Sequence, residues 1–598
     1  MFRAATCLVI LSTALACIST DDSPSTPAAA DAFVAQAEEQ LAALGRAQAN
    51  ANWVQATYIT YDSNKVAAAA QERTTAAAVD LAGAATRFDD LDLAFDTRRK
   101  LGMLKRALSV PAPADEQLIA ELAQVSNELT GAYGSHEYCR DDGECLQEPH
   151  MVDIMANSRN PDELLEIWQG WRTMGPPLRD GYMRVMEIAN QGARELGFTD
   201  LGALWRSNYD MEPDAFATEA ERLVRQVQPL YEALQCHVRA RLHEYYGSPI
   251  VPPDGPIPAH LLGNMWAQSW TNVYNLVAPG SSAAGYDLTE HLQRSRMSEL
   301  DMVSTGEAFF TSLGFQQLPE TFWQRSLFTK PRDREVVCHA SAWDMGDGED
   351  YRIKMCIDKT ANSFDTIHHE LGHNFYQRAY RNQPTMYQGG ANPGFHEAIG
   401  DAIALSITPE YLHQIDLIDE VPAATGDIGL LLKMALDRVA ALPWTYLLDQ
   451  WRWRISSGEI SADELNSTWW ELRERYQGVA PPIERTEESF DPGAKFHIPA
   501  MVSYTRYFIA RILQFQFHRA MCDAAGFEGP LHRCTIYGSV EAGARLNAML
   551  EMGSSRPWPE ALETLTGETE MDATAILDYF APLQAWLDDQ NADRQCGW

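Results

Sequence analysis

Apolar positions recur at three- and four-residue steps along most of the chain, the spacing that keeps one face of an α-helix buried. Phe33, Ala37, Leu41 and Leu44 form one such stripe, and Leu118, Leu122, Val125 and Leu129 another. Both lie in residues 31–135, a stretch rich in Ala, Leu, Glu, Gln and Arg. The pattern continues through 161–195, 215–247, 287–313, 427–475 and 498–525, which predicts a mostly α fold. One segment breaks the period. Val336 to Trp343 leads into Met345-Gly346-Asp347-Gly348 and then Tyr351 to Cys356, which reads as strand, Gly-rich turn, strand. Cys338 and Cys356 are equally far from Asp347, so a hairpin turning there sets them opposite each other. This ribbon is the one β element the pattern predicts firmly, and no repeat of solenoid or propeller period is present.

Composition adds scale and surroundings. With 45% hydrophobic residues in 598, the chain is long and apolar enough for a large core. No Pro/Gly/Ser linker divides it after residue 30, so 31–598 reads as one domain. A formal net charge of -36 argues against nucleic acid or an anionic membrane as partner. Residues 1–16 read as a signal peptide, with a short basic start, an apolar run and Ala14-Leu15-Ala16 as the cleavage site. Cys17 follows, where a bacterial lipoprotein would carry its lipid anchor, and 17–30 reads as a flexible tether. Ala14 stands where such signals usually have Leu, so lipidation and plain secretion are both open. Either way the protein is expected to be exported, periplasmic or extracellular. No later run of about 18 apolar residues suggests a membrane span, and no partner protein is evident.

Of the ten cysteines, Cys139 with Cys145, Cys338 with Cys356, and Cys522 with Cys534 are closely spaced and read as disulfides in an exported protein. Cys236 and Cys596 pair by elimination if Cys17 is lipidated; a free, buried Cys236 is the alternative.

The chemistry concentrates at His369-Glu370-Leu371-Gly372-His373. Residues four apart share a helix face, so both imidazoles can reach one metal ion, with Glu370 beside it. Imidazole suits Zn²⁺, and a catalytic site needs a third protein ligand while leaving a position for water. Glu397, in Gly394-Phe395-His396-Glu397-Ala398-Ile399-Gly400-Asp401, is the candidate. Asp401 lies one turn later on the same face and can hold a ligating histidine by its other nitrogen. His368 and His396 adjoin the ligands but point away by helical phase, which suits structural roles.

These stretches resemble the angiotensin-converting-enzyme family of zinc dipeptidyl carboxypeptidases. So do Cys338-His339-Ala340-Ser341-Ala342-Trp343-Asp344, Asp449-Gln450-Trp451-Arg452-Trp453-Arg454, and Phe490-Asp491-Pro492-Gly493-Ala494-Lys495-Phe496-His497-Ile498-Pro499. Pro256 to Gln268 and the close cysteine pairs extend the likeness from near residue 31 to near residue 590. The resemblance implies a two-lobed helical ellipsoid around a deep central channel, with the small hairpin near the active site.

It implies roles residue by residue. His369, His373 and Glu397 would hold one Zn²⁺; Glu370 would take the attacking water's proton and pass it to the leaving amine. Tyr507 would stabilise the oxyanion, with His497 and His339 on substrate carbonyls. Gln268, Lys495 and Tyr504 would grip the free C-terminal carboxylate of an oligopeptide. The strand edge at Ala340 and Ala342 could pair with its extended backbone. Chloride would sit against Arg506 and Tyr209, and at a further site made by Arg172, Trp469 and Arg473. Three departures matter. Gln388 and Gly389 replace Arg and Glu near a substrate pocket, so side-chain preference does not carry over. Ser503 stands where some relatives have Pro beside a chloride. Two rival functions are a single-residue carboxypeptidase, whose relatives have Arg in place of Gln268, and an inactive homologue, which would have lost a ligand or the base.

Overall fold

The computed structural model of the chain describes residues 25–279 and 287–598. The predicted leader, 1–16, and Cys17 lie outside the described residues. Helices account for most of what is described, and they fall where the apolar period placed them. Residues 31–135 hold Pro27–Thr57, Tyr61–Ala85, Phe95–Arg106 and Glu116–Gly134. Within the first stripe Phe33 and Ala37 are buried, as are Leu122 and Leu129 in the second. The first helix begins earlier than expected. Thr26 caps it by accepting from Ala29 N, and Pro27 occupies the first turn, where its missing N–H costs nothing. Residues 27–30, expected as the end of a tether, are therefore helical.

The hairpin forms with shorter strands than its sequence run, Ser341–Asp344 and Tyr351–Lys354, paired antiparallel with Ser341 opposite Lys354. Gly346 and Gly348 take positive φ in the turn. The Cys338–Cys356 disulfide closes its open end. The buried Lys354 donates to the carbonyls of Val337 and His339, so the approach to His339 and Ala340 is tied to the second strand. Two further strand pairs escaped the sequence reading. Glu137–Cys139 pairs with Cys145–Gln147 around the Cys139–Cys145 disulfide, and Ile257–Pro258 runs parallel to Val479–Ala480. At two or three residues each, they are too short to show a period of two.

The three closely spaced disulfides are present, and so is Cys236–Cys596, so Cys236 is not a free thiol. The main core draws on residues from Ala82 to Leu587, and a smaller one joins the first three helices. No helix among the described residues is long and apolar enough to cross a membrane.

Candidate active site

The helix Ala361–Ala379 carries His369, Glu370 and His373, and the helix Phe395–Ala404 carries Glu397 and Asp401. Two glycines let these helices cross in near contact. A Cβ on Gly372 would come within 2.9 Å of Gly400 Cα, and one on Gly400 within 2.7 Å of His369 Nδ1. That crossing puts Glu397 beside the two imidazoles. His369 Nε2 lies 3.0 Å from His373 Nε2 and 3.6 Å from Glu397 Oε2, and one ligand atom from each residue falls within 4.8 Å of the others. His369 Nδ1 donates to Asp401 Oδ1 at 3.2 Å, which leaves Nε2 with its lone pair facing the group. Two neutral imidazole nitrogens and a carboxylate suit Zn²⁺.

Asp401 is itself held. Burial works against its charge, but Arg438 (Nη1 to Oδ2, 3.5 Å) and His369 keep its carboxyl well below the usual range. Glu370 is buried, and burial pushes its carboxyl up, with His369 acting against the shift. The neighbouring histidines point elsewhere, as their phase predicted. His368 Nδ1 donates to Phe364 O, while His368 Nε2 pairs with Tyr411 Oη; His396 Nε2 meets Tyr380 Oη.

A second group surrounds a cavity of about 260 Å³ lined by Gln268, Lys495, His497, Tyr504 and Tyr507. Lys495 Nζ donates to Gln268 Oε1 at 2.7 Å, and Tyr504 Oη points to the same oxygen at 3.5 Å. The ammonium sits 4.2 Å from the Trp266 ring centroid, and no carboxylate pairs with it among the described residues. Burial pulls Lys495 down to about 8, with distant Glu148 opposing. A buried ammonium and a phenol that converge on one neutral carbonyl oxygen are better matched by a carboxylate. Burial and the charge of Lys495 take His497 down to about 3, so its ring is neutral, and its Nδ1 is buried without a partner. The His497, Tyr504 and Tyr507 rings pack edge to face, 4.7–6.0 Å apart. Burial raises the Tyr507 phenol, Arg506 opposes, and Glu397 is near enough to add to the rise, which ties Tyr507 to the metal group. His339 is exposed and bonds its neighbour's carbonyl, Ala340 O, at 2.9 Å.

Asp449 and Arg452, in the stretch Asp449 to Arg454, set this geometry. Asp449 Oδ2 accepts from Tyr504 N at 2.8 Å, and from Thr505 N and Thr505 Oγ1, both at 2.7 Å. It thus caps the helix Thr505–Ala524, which has no cap of its own. Its other oxygen takes Arg452, whose guanidinium also donates to His497 O at 3.1 Å and Val502 O at 2.7 Å. One buried ion pair therefore positions His497, Tyr504 and Tyr507 together. Its only trace in sequence is the i, i+3 spacing of Asp449 and Arg452, which is too common to single out.

The residues expected at anion sites fall into two groups. Among the described residues Arg506 Nε is buried without a partner, and Tyr209, fully buried, lies beside Arg506 and Ser503. Arg172 and Arg473 are both buried, burial pulls each down to about 9, and each keeps a buried Nε–H with no acceptor. Trp469 is buried against Arg473, 5.9 Å from its ring centroid, and Asp491 approaches Arg172 Nε only to 3.9 Å.

Residues 24–598 match the family described as Peptidase_M2, angiotensin-converting enzyme. The angiotensin-converting enzyme of Oryctolagus cuniculus is 43% identical over 582 residues, covering 96% of this chain and 44% of that protein. That of Theromyzon tessulatum is 42% identical over 483 residues, covering 79% of this chain and 78% of the other. The angiotensin-converting enzyme-like protein Ace3 of Mus musculus is 42% identical over 510 residues. The chain spans less than half the length of the Oryctolagus cuniculus relative.

Proposed function

This chain belongs to the angiotensin-converting enzyme family, and from that premise we propose that it is a zinc peptidase releasing dipeptides from the free C-terminal end of oligopeptides. The observation that carries the reading is the pairing of two sites through one helix. Tyr504 and Tyr507 lie one turn apart, the first beside Gln268 and Lys495 and the second near Glu397.

His369, His373 and Glu397 would hold Zn²⁺, which when bound supplies a Lewis acid that polarises the scissile carbonyl and acidifies water. The protein's own groups do the rest. Glu370, buried and not a ligand, takes a proton from the attacking water and returns it to the leaving amine. Tyr507 donates to the oxygen on which charge develops, and neutral His497, which lines the same cavity, donates a ring N–H to a substrate carbonyl. Lys495, Tyr504 and Gln268 hold the terminal carboxylate, and the Ala340 edge beside His339 receives the peptide backbone. Asp401 fixes the His369 tautomer. Residues 31–598 act as one catalytic unit. Four disulfides fit an oxidising, extracytoplasmic setting, secreted or anchored at Cys17.

Products from a mixture of free-carboxylate peptides, read by mass spectrometry, are expected to be C-terminal dipeptides. Single amino acids would instead support a one-residue carboxypeptidase. No cleavage at all, with zinc bound, would support an inactive homologue.

Chloride is proposed as an activator. A buried guanidinium N–H without an acceptor is costly, and an anion beside Arg506, or between Arg172 and Arg473, would satisfy it. Arg506 lies on the helix that presents Tyr507, so anion binding there couples to catalysis. We expect kcat/KM to rise with sodium chloride when acetate holds ionic strength constant, and Arg506→Gln to abolish the rise. A flat wild-type response would rule out an anion that exchanges at Arg506.

A further inference from the structure

The cavity that holds Gln268, Lys495 and Tyr504 is also lined by Arg511 and Asp437. Arg511 comes four residues after Tyr507 on the helix that Tyr504 caps, so it lies on the face of Tyr507. Its side chain is half-buried, and among the described residues its guanidinium donates to no protein acceptor and forms no ion pair. Its charge is felt at both Asp401 and Tyr504, and it lines the same cavity as the carboxylate grip. Asp401 is already shared, with Oδ1 on His369 and Oδ2 facing Arg438 at 3.5 Å, and Arg511 forms no ion pair with it.

The other charges nearby have opposite charges as neighbours along their helices. Asp437 adjoins Arg438 and lies one turn after Lys433, and Arg438 and Lys433 also face Asp365 on the His369 helix. Lys495 is assigned to the substrate's terminal carboxylate. Arg511 is the charge left over, with five N–H donors in a fork that matches a carboxylate.

We propose that Arg511 is a specificity-determining residue that pairs with an acidic side chain, Asp or Glu, on one of the two C-terminal residues of the substrate. The inference rests on the peptidase reading above and gives its substrate class: peptides whose released dipeptide is acidic. A guanidinium–carboxylate pair in a confined site is stronger than a pair with the corresponding amide, because the amide offers one neutral acceptor oxygen in place of two charged ones.

The test compares free-carboxylate peptides that differ only as Glu against Gln, or Asp against Asn, at the last or penultimate position. In the wild type, kcat/KM for the acidic peptide should exceed that for its amide partner on the order of tenfold at one of the two positions. Arg511→Met should bring that ratio close to one. Arg511→Lys, which keeps charge but loses the fork, should retain part of it. Thermal midpoints of both variants check that they fold, and Arg511→Lys carries the test if Arg511→Met does not. A wild-type ratio of one or less at both positions would overturn the proposal, as would an unchanged ratio in the folded variant. So would a preference for Lys or Arg side chains, which Asp437 would favour. If peptides are cut into dipeptides without an acidic preference, only this inference falls; if none is cut, the peptidase reading falls with it.

Discussion

Glu370→Gln is expected to lower kcat by about 10²–10⁴-fold or more while the protein keeps its zinc. The substitution preserves shape and removes the carboxylate proposed to accept the proton. It leaves the ligand set untouched, because His369, His373 and Glu397 offer their atoms to one point and Glu370 is not among them. Burial also raises the Glu370 carboxyl, the direction that brings a carboxylate nearer to a useful general base. Glu397→Ala should behave in the opposite way, since it deletes a ligand and weakens metal binding. Metal analysis of the purified variants, beside steady-state kinetics, separates the two. Near-normal turnover in Glu370→Gln would remove Glu370 from the mechanism, and loss of zinc from that variant would mean that it helps to hold the ion.

Amidation of the substrate's C-terminus should raise KM by roughly 10–100-fold. A hydrogen bond to a charged group is worth about 1.5–3 kcal/mol, and each 1.4 kcal/mol is tenfold. Lys495 is the reason to expect the upper part of that range. It is buried, and among the described residues no carboxylate pairs with it and its acceptor is the neutral Gln268 Oε1, 2.7 Å away. A neutral amide end cannot replace that contact with a better one. Lys495→Met supplies the complementary arm, and the two changes should not add. In the variant, free and amidated peptides should differ far less than in the wild type, because the interaction is already gone. Equal hydrolysis of both peptides by the wild type would overturn the assignment of Gln268, Lys495 and Tyr504 as the carboxylate grip.

Sequence alone determined what depends on neighbours along the chain. The helices follow from apolar residues three and four apart, and the two imidazoles from a spacing of one turn. The fates of His368 and His396 follow from helical phase, and the disulfide across the hairpin from a turn midway between two cysteines. Tertiary structure decided what depends on partners far apart. Glu397 reaches the imidazoles because Gly372 and Gly400 let two helices touch. Lys495 meets Gln268 across 227 residues. Asp449 caps a helix that begins 56 residues later and, with Arg452, holds His497 in place. Arg438 steadies Asp401, and Arg511, in the cavity beside Lys495, forms no ion pair among the described residues. Periodicity reports which face of an element is buried but says nothing about what lies against it. A buried charge is defined by the groups that satisfy it or fail to, and those are assembled only when the chain folds.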